Sequence, residues 1–176
     1  YKQSGLDERT SMAEFDWGFN PKIPKRTCFE LNTLKFIAEG ENAILIGPPG
    51  TGKSHVAKAV AYSAVRAGLR VMYAEADELL STLVLTPSLG KQQRLKPALD
   101  ADLLVLDDLF MARRIAQERA DELQALIHKR YKLRRSVLIT SNRIIADWET
   151  YLGDTALATT ILDRLMHRSV LAELDR

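Results

Sequence analysis

The residue types and spacing that most clearly predict chemistry are the GPPGTGKS of residues 47–54. They fit G-x-x-x-x-G-K-[S/T], the phosphate-binding P-loop. Gly50 and Gly52 can adopt positive φ and leave no Cβ between the chain and a phosphate, so N–H groups can point into one concavity at a helix start. Lys53 is predicted to contact the β- and γ-phosphates of ATP, and the Ser54 hydroxyl to bind Mg²⁺. The residues assigned to nucleotide binding are Gly47, Pro48, Pro49, Gly50, Thr51, Gly52, Lys53, Ser54 and His55.

Two adjacent carboxylates follow a buried apolar run further along the chain. Residues 102–106 (DLLVL) predict a buried strand that ends in Asp107 and Asp108. Asp107 can hold Mg²⁺ through its water shell, and Asp108 can orient or deprotonate an attacking water. Paired acids are common on any surface, but the end of a buried strand favours the functional interpretation. The predicted metal ligands are therefore Ser54 and Asp107.

Asn142 and Arg164 complete the predicted catalytic set with Asp108. Asn142 follows the apolar run 137–140, where an amide can hold a water or sense a γ-phosphate, although Ser-Asn also initiates turns. Arg164 lies on a predicted helix whose inward residues include Leu162 and Met166. Most exposed helical arginines are only solvated, yet phosphoryl-transfer enzymes often take a guanidinium from a neighbouring subunit, so both roles stay open.

The elements that must position these residues alternate between strand and helix. Apolar runs predict strands at 43–46, 70–74, 102–106, 137–140 and 170–174. Helices are predicted after the P-loop and at 27–39, 76–85, 91–99, 115–133, 147–151 and 155–167. Phe29 and Tyr131 are predicted to face inward on their helices, and Gly90 is predicted to break a helix. Continuous apolar strands between helices predict an α/β fold whose parallel sheet has helices on both faces and binds ligands at the carboxyl ends of its strands.

Composition limits the classes of protein. The chain has 176 residues, 46% apolar and 27% charged, which suits one soluble domain with a core. A net charge of +2 neither requires nor excludes nucleic acid. A single cysteine, Cys28, excludes an internal disulfide, and the three histidines lack metal-ligand spacing. No run reaches the length of a membrane span and nothing resembles a signal peptide, so no membrane association and a cytoplasmic location are expected.

The chain is predicted to divide into a polar arm at 1–26 and a nucleotide-binding domain at 27–176. The arm contains Phe15, Trp17 and Phe19, which either pack on the domain surface or contact a nucleotide base. Because the chain begins at Tyr1 and ends just after a predicted strand, it is expected to be part of a longer protein.

Basic residues gather in three places, and such runs are usually solvated helix faces. Contact with the phosphates of duplex DNA is the alternative. The groups are Lys91, Arg94 and Lys96; Arg113 and Arg114; and Lys129, Arg130, Lys132, Arg134 and Arg135.

Four motifs in order resemble the AAA+ ATPases of the IstB and DnaC group: GPPGTGKSH, LLVLDDL, ITSNR and ILDRLMH. The segments FDWGFNPK and ADWETYLGD are more similar to IstB-like transposition helpers than to DnaC helicase loaders. The resemblance implies an AAA+ core with strand order 5-1-4-3-2, a sensor-1 role for Asn142 and a trans-acting arginine finger at Arg164. It also implies slow, assembly-dependent ATP hydrolysis, self-assembly on duplex DNA and delivery of that DNA to a transposase, with Lys91, Arg94 and Lys96 facing DNA.

This chain departs from the family pattern in three respects. Phe110 stands where glycine is usual, Asp108 replaces the commoner glutamate, and the N-terminal helical region and sensor-2 arginine are not found. The chain is therefore expected to bind nucleotide but to assemble or hydrolyse poorly. Three rival functions are a DnaC-like helicase loader, a small-molecule P-loop kinase, for which no acceptor-and-lid segment is evident, and a module that binds nucleotide without turnover.

Overall fold

A computed structural model describes residues 24–111 and 115–174. The strands are β1 (Asn42–Ile46), β2 (Val71–Glu75), β3 (Leu103–Leu109), β4 (Ser136–Ser141) and β5 (Ser169–Glu173). The helices are α1 (Lys25–Asn32), α2 (Lys35–Ala38), α3 (Lys53–Arg66), α4 (Ala76–Leu85), α5 (Ser88–Asp100), α6 (Gln117–Leu133), α7 (Trp148–Leu152) and α8 (Thr155–Met166), with a 3₁₀ turn at Ile145–Asp147.

The five strands form one parallel sheet in the order β2-β3-β4-β1-β5, which confirms the predicted order. Alternate residues of the central strands face opposite sides of the sheet, as the period of two requires. Ile44 and Ile46 pack with α4 to α8 on one face, whereas Ala43 and Leu45 pack with α1 to α3 on the other. Both faces are therefore covered, and all five carboxyl ends lie at one edge.

The N-terminal helical segment differs from its prediction. A single helix at 27–39 is wrong, because Leu34 adopts φ 65° and separates α1 from α2. The hydroxyl of Thr33 donates to Glu30 O at 2.6 Å, a side-chain bond that competes with helix continuation. Phe29, predicted to face inward, is 41% exposed.

Other boundaries and faces also differ. The basic helix begins at Ser88 and continues through Gly90, whose N–H donates to Pro87 O in the first turn. Tyr131 and Met166, predicted to face inward, are exposed. The third strand continues through Asp107 and Asp108 to Leu109, with an irregular register to β4 between Leu106 and Leu109. The aromatic residues of the arm, together with Arg113 and Arg114, lie outside the described residues.

Arg130 of α6 is fully buried, so the prediction that its basic run is only a solvated face is wrong at this position. Its Nη1 donates to Ala98 O at 2.6 Å and Ala101 O at 2.8 Å, and its Nη2 donates to Ser136 O at 2.7 Å. Burial lowers the pKa of this guanidinium to about 10, which still leaves it charged at neutral pH. One side chain thus ties the end of α5 to the starts of β3 and β4.

Candidate nucleotide-binding site

The predicted P-loop joins the end of β1 to the start of α3. Gly47 N–H donates to Ser141 O at 3.2 Å, and a Cβ at Gly47 would lie 2.2 Å from Leu174 O, so no side chain fits there. Gly50 and Gly52 have φ of 75° and 98°, values that glycine adopts without steric cost. The loop therefore has the bare, tightly supported backbone that close approach of a phosphate requires.

Lys53 begins α3 and is only 5% exposed. Its Nζ donates to Pro48 O at 2.8 Å and to Thr51 Oγ1 at 3.4 Å, both within the loop. The ammonium is thus held at the loop itself, where a phosphate oxygen could replace the carbonyl as its acceptor.

Asp107 and Ser54 are in direct contact although they are far apart in sequence. Ser54 Oγ donates to Asp107 Oδ1 at 2.9 Å. The Thr140 hydroxyl donates to the same oxygen, and the Tyr73 hydroxyl donates to Oδ2. Three hydroxyl donors around a carboxylate that is 7% exposed fix its orientation.

The oxygen donors of Ser54 and Asp107 suit Mg²⁺, which prefers hard ligands and retains several waters. Among residues 24–111 and 115–174, no group of three His, Cys, Asp or Glu side chains is placed to hold a metal. An ion here would therefore be held by these two residues together with nucleotide phosphates and water, as is common for Mg²⁺ in phosphoryl-transfer sites.

Asp108 is half-buried and adopts φ 57° at the irregularity of β3. Its N–H donates to Thr140 Oγ1 at 2.8 Å, so one hydroxyl supports the backbone of Asp108 and the carboxylate of Asp107 together. Burial, and then the negative charge of Asp107, raise the pKa of Asp108 above its ordinary value. The Asp108 carboxylate is accordingly a stronger base than a solvated aspartate.

Phe110 also adopts a positive φ, 65°, which explains why glycine would be the easier residue here. A left-handed non-glycine residue costs about 1–2 kcal/mol, whereas full burial of a phenylalanine side chain contributes about 1.5–3 kcal/mol. The ring is fully buried, 5.2 Å from Trp148 in an edge-on contact and 5.9 Å from Tyr151 in a stacked contact. Burial therefore offsets the strain and anchors the chain just after the acid pair.

Asn142 follows β4, whose Ser141 pairs with Ile46 immediately before the P-loop. This register places Asn142 beside the loop, half-exposed, and its side chain forms no hydrogen bond with the part of the chain that the structure describes.

Arg164 lies away from the P-loop. It occupies the last turn of α8, just before β5 begins, and donates to Thr160 O at 3.2 Å. Because parallel strands begin at the opposite edge, Arg164 does not join the P-loop site of its own chain.

The three predicted DNA contacts lie on α5 in different settings. Lys91 is paired with Glu122 of α6, and Lys96 forms an ion pair with Asp100 at 3.0 Å. Arg94 is exposed and forms no hydrogen bond or ion pair with described residues. Of these three cationic side chains, Arg94 is therefore the most accessible to a DNA phosphate.

Sequence reasoning missed Tyr73 and Thr140. Tyr73 lies on β2, paired in register with Val105, which brings its hydroxyl to the neighbouring strand's Asp107. Nothing local in the sequence indicates this contact. Thr140 is a hydroxyl-bearing residue that directly follows the apolar residues 137–139 in a buried strand, and that signal could have identified it.

A family model described as IstB-like ATP binding protein matches residues 1–175. An ATP-binding protein of insertion sequence IS21 from Pseudomonas aeruginosa is 38% identical over 169 residues, which cover 96% of this chain and 63% of that protein. An ATP-binding protein of insertion sequence IS5376 from Geobacillus stearothermophilus is 32% identical over 174 residues, covering 98% and 68%. The chain thus spans about two thirds of the length of these relatives.

Solved structures share the fold. The DnaC helicase loader is 25% identical with a TM-score of 0.68, covering 90% of this chain and 97% of that one. The replication initiator DnaA bound to AMPPCP and single-stranded DNA is 20% identical with a TM-score of 0.79, covering 98% and 51%, a likeness of fold alone. No described helix is both long enough and apolar enough to cross a bilayer.

Proposed function

Since this chain belongs to the family of IstB-like ATP binding proteins, we propose that it is the ATP-hydrolysing domain of a DNA transposition helper. In this proposal it binds ATP with Mg²⁺, assembles with further copies of itself on duplex target DNA, and delivers that DNA to the transposase of the same mobile element. The observation that carries it is the contact between Ser54 and Asp107 beneath a glycine-rich loop. The insertion-sequence names of the similar proteins support the connection with transposition.

The proposed roles follow the geometry of the site. Lys53 exchanges its acceptor in the loop, Pro48 O, for phosphate oxygens. Ser54 and Asp107 would hold the Mg²⁺ ion, which neutralises charge on the phosphates when bound. Asp108 orients the attacking water and accepts its proton, and Asn142, beside the loop, holds that water or the γ-phosphate.

Replacing Asp108 by asparagine is expected to lower turnover by about 10²- to 10³-fold while ATP affinity stays within about twofold, because the amide cannot accept the proton. In the unchanged chain, turnover falls as pH decreases through the raised pKa of Asp108, at a higher pH than an ordinary aspartate would give. In the pH profile of the Asp108→Asn variant, this fall of turnover at low pH should be absent. Phosphate release and nucleotide titration measure both effects.

Asp121→Asn provides the matched control, because Asp121 is exposed on α6 and its carboxylate accepts a hydrogen bond from Gln117 Nε2 at 3.0 Å, away from the P-loop. Turnover of this control should equal that of the unchanged chain. Unchanged turnover in Asp108→Asn would remove Asp108 from the proposed role.

Mixing Arg164→Ala chains with Lys53→Ala chains is expected to restore ATP hydrolysis that neither variant shows alone. Arg164 lies at the edge opposite its own P-loop, so it can act only on ATP held by a neighbouring chain. At equal amounts, about one interface in four combines an intact P-loop with an intact Arg164. Phosphate release is measured across mixing ratios, with Lys129→Ala in place of Arg164→Ala as the control. Absence of rescue at every ratio would contradict a trans-acting Arg164.

Two rivals give different results with the complete protein. A helicase loader would co-purify with a hexameric helicase rather than a transposase. The similarity to the DnaC helicase loader is the observation that favours this alternative. A small-molecule kinase would transfer phosphate to a metabolite. The cleft of about 840 Å³ beside Asp107 is lined by Glu75, Asp77 and Glu78, and this acidic lining disfavours a phosphorylated acceptor. DNA-stimulated phosphate release supports the proposed helper over the kinase, and co-purification with a transposase supports it over the helicase loader.

A further inference from the structure

The end of β3 is joined to the end of β4 by side chains as well as by the ladder of the sheet. The register between the two strands is irregular from Leu106 to Leu109, the stretch that contains both acids. Here the Ser141 hydroxyl donates to Leu109 O at 2.7 Å, and Arg143 Nε donates to Phe110 O at 3.4 Å. Because an irregularity in a ladder re-aims nearby side chains, the contacts that replace the ladder set their direction.

Arg143 is itself held by aromatic contacts. Its guanidinium lies over the ring of Tyr151 of α7, 4.7 Å from the centroid, and that ring stacks on Phe110 at 5.9 Å. The Trp148 indole N–H donates to Arg143 O at 2.9 Å, and the Phe110 ring meets Trp148 edge-on. No carboxylate of the described residues pairs with this guanidinium. Arg143 therefore closes a ring of contacts that runs from β4 through α7 and back to β3.

The segment that receives these contacts has a strained backbone. Asp108 and Phe110 both adopt positive φ, at 57° and 65°, and such conformations in residues other than glycine persist only where the surroundings hold them. Asn142 directly precedes Arg143, so the bond from Arg143 to Phe110 joins the two segments whose side chains are proposed to handle the attacking water. A misplacement of about 1 Å at such groups can cost about 100-fold in rate.

We propose that Arg143 is a positioning residue for ATP hydrolysis, which holds Asp108 and Asn142 in the relative placement that the attacking water requires. The inference rests on the proposed function, because it concerns the same reaction, and Arg143 acts through its neighbours rather than on ATP. A lysine at this position can keep a cation over the Tyr151 ring but lacks the planar guanidinium. A residue that only supported the fold would instead affect ATP affinity and turnover together.

The first test measures turnover and ATP affinity in the complete protein. Arg143→Met should lower the turnover number at saturating ATP by at least about tenfold, while the Kd for ATP stays within about twofold, because the P-loop keeps its own contacts. Arg143→Lys should turn over at least about threefold faster than Arg143→Met, because the cation is retained. Unchanged turnover in Arg143→Met, or equal losses of affinity and turnover, would overturn the proposal.

Arg66→Met is the matched control. The Arg66 guanidinium also lies over a tyrosine ring, that of Tyr62 at 5.7 Å, but it belongs to the last residue of α3, at the end of the helix away from the P-loop. This variant loses the same kind of stacked cation and should keep both the turnover number and the Kd for ATP. A loss of turnover equal to that of Arg143→Met would contradict a specific role for Arg143.

The second test needs no turnover. Amide hydrogen exchange should be at least about tenfold faster at residues 108–110 in Arg143→Met than in the unchanged protein, whereas the amides of α3 should change by less than about twofold. Arg66→Met should leave residues 108–110 unchanged. Equal exchange at these residues in Arg143→Met and the unchanged protein would overturn the proposal. If the unchanged protein hydrolyses no ATP, the proposed function fails, and the exchange result still decides whether Arg143 holds this segment in place.

Discussion

Replacing Lys53 by alanine is expected to weaken ATP binding by at least about 100-fold, the largest effect of any single change at the site. Charge-assisted hydrogen bonds contribute about 1.5–3 kcal/mol each, and the ammonium is expected to form more than one with the phosphates. The side chain is already held at the loop by Pro48 O and Thr51 Oγ1, so little ordering cost remains when ATP binds. Titration with a fluorescent ATP analogue in the presence of Mg²⁺ measures the change.

Lys35→Ala is a suitable control, because Lys35 lies on α2 with its side chain 77% exposed. It should leave the affinity for ATP unchanged. Urea unfolding of Lys53→Ala checks that the loop variant remains folded. Micromolar affinity retained in a folded Lys53→Ala chain would contradict the assignment of residues 47–54 as the nucleotide site.

Replacing Arg130 by methionine is expected to lower the free energy of unfolding by about 3–5 kcal/mol, because three buried carbonyl groups lose their donor together. Methionine fills much of the space but cannot donate to Ala98 O, Ala101 O or Ser136 O. Each buried carbonyl left without a donor costs about 1–3 kcal/mol. Because domains have a total stability of only about 5–15 kcal/mol, the loss should shift the urea midpoint strongly.

Lys132→Met is the matched control, since Lys132 is exposed two residues away on α6. Its effect should stay within about 0.5 kcal/mol. Equal urea midpoints for Arg130→Met and the unchanged chain would show that the three carbonyls are satisfied without the guanidinium. Amide hydrogen exchange should locate the damage at the end of α5, where Arg130 contacts two carbonyls.

The fold could be predicted because its signals are local. Apolar runs, glycines at helix ends and the GPPGTGKS motif each depend on a few neighbouring residues, and the resemblance to AAA+ proteins supplied the strand order that the structure confirms. Ser54 lies just after the loop that follows β1, and Asp107 lies near the end of β3. Their contact could be expected because the carboxyl ends of parallel strands lie at the same edge of the sheet. The roles of Asp108, Asn142 and Arg164 remain predictions.

What sequence could not predict depends on contacts between distant segments. The Tyr73 hydroxyl reaches Asp107 only through the register of β2 on β3. The ring of Phe110, whose φ is positive, packs against Trp148 and Tyr151, some 40 residues later in the chain. Arg130 has the same sequence context as its exposed neighbours, and only the packing of α5 on α6 reveals its burial.

The support of Gly47 by Leu174 has a consequence for synthesis on the ribosome. Leu174 N–H donates to Ile46 O at 2.7 Å, and β1 has β4 and β5 as its two neighbours in the sheet. The loop emerges early in translation, but the strands that flank it are made last. A nascent chain that has not yet reached residue 174 lacks the strand that pairs with β1 beside the loop, so we expect ATP to stabilise this domain fully only after all five strands have left the exit tunnel.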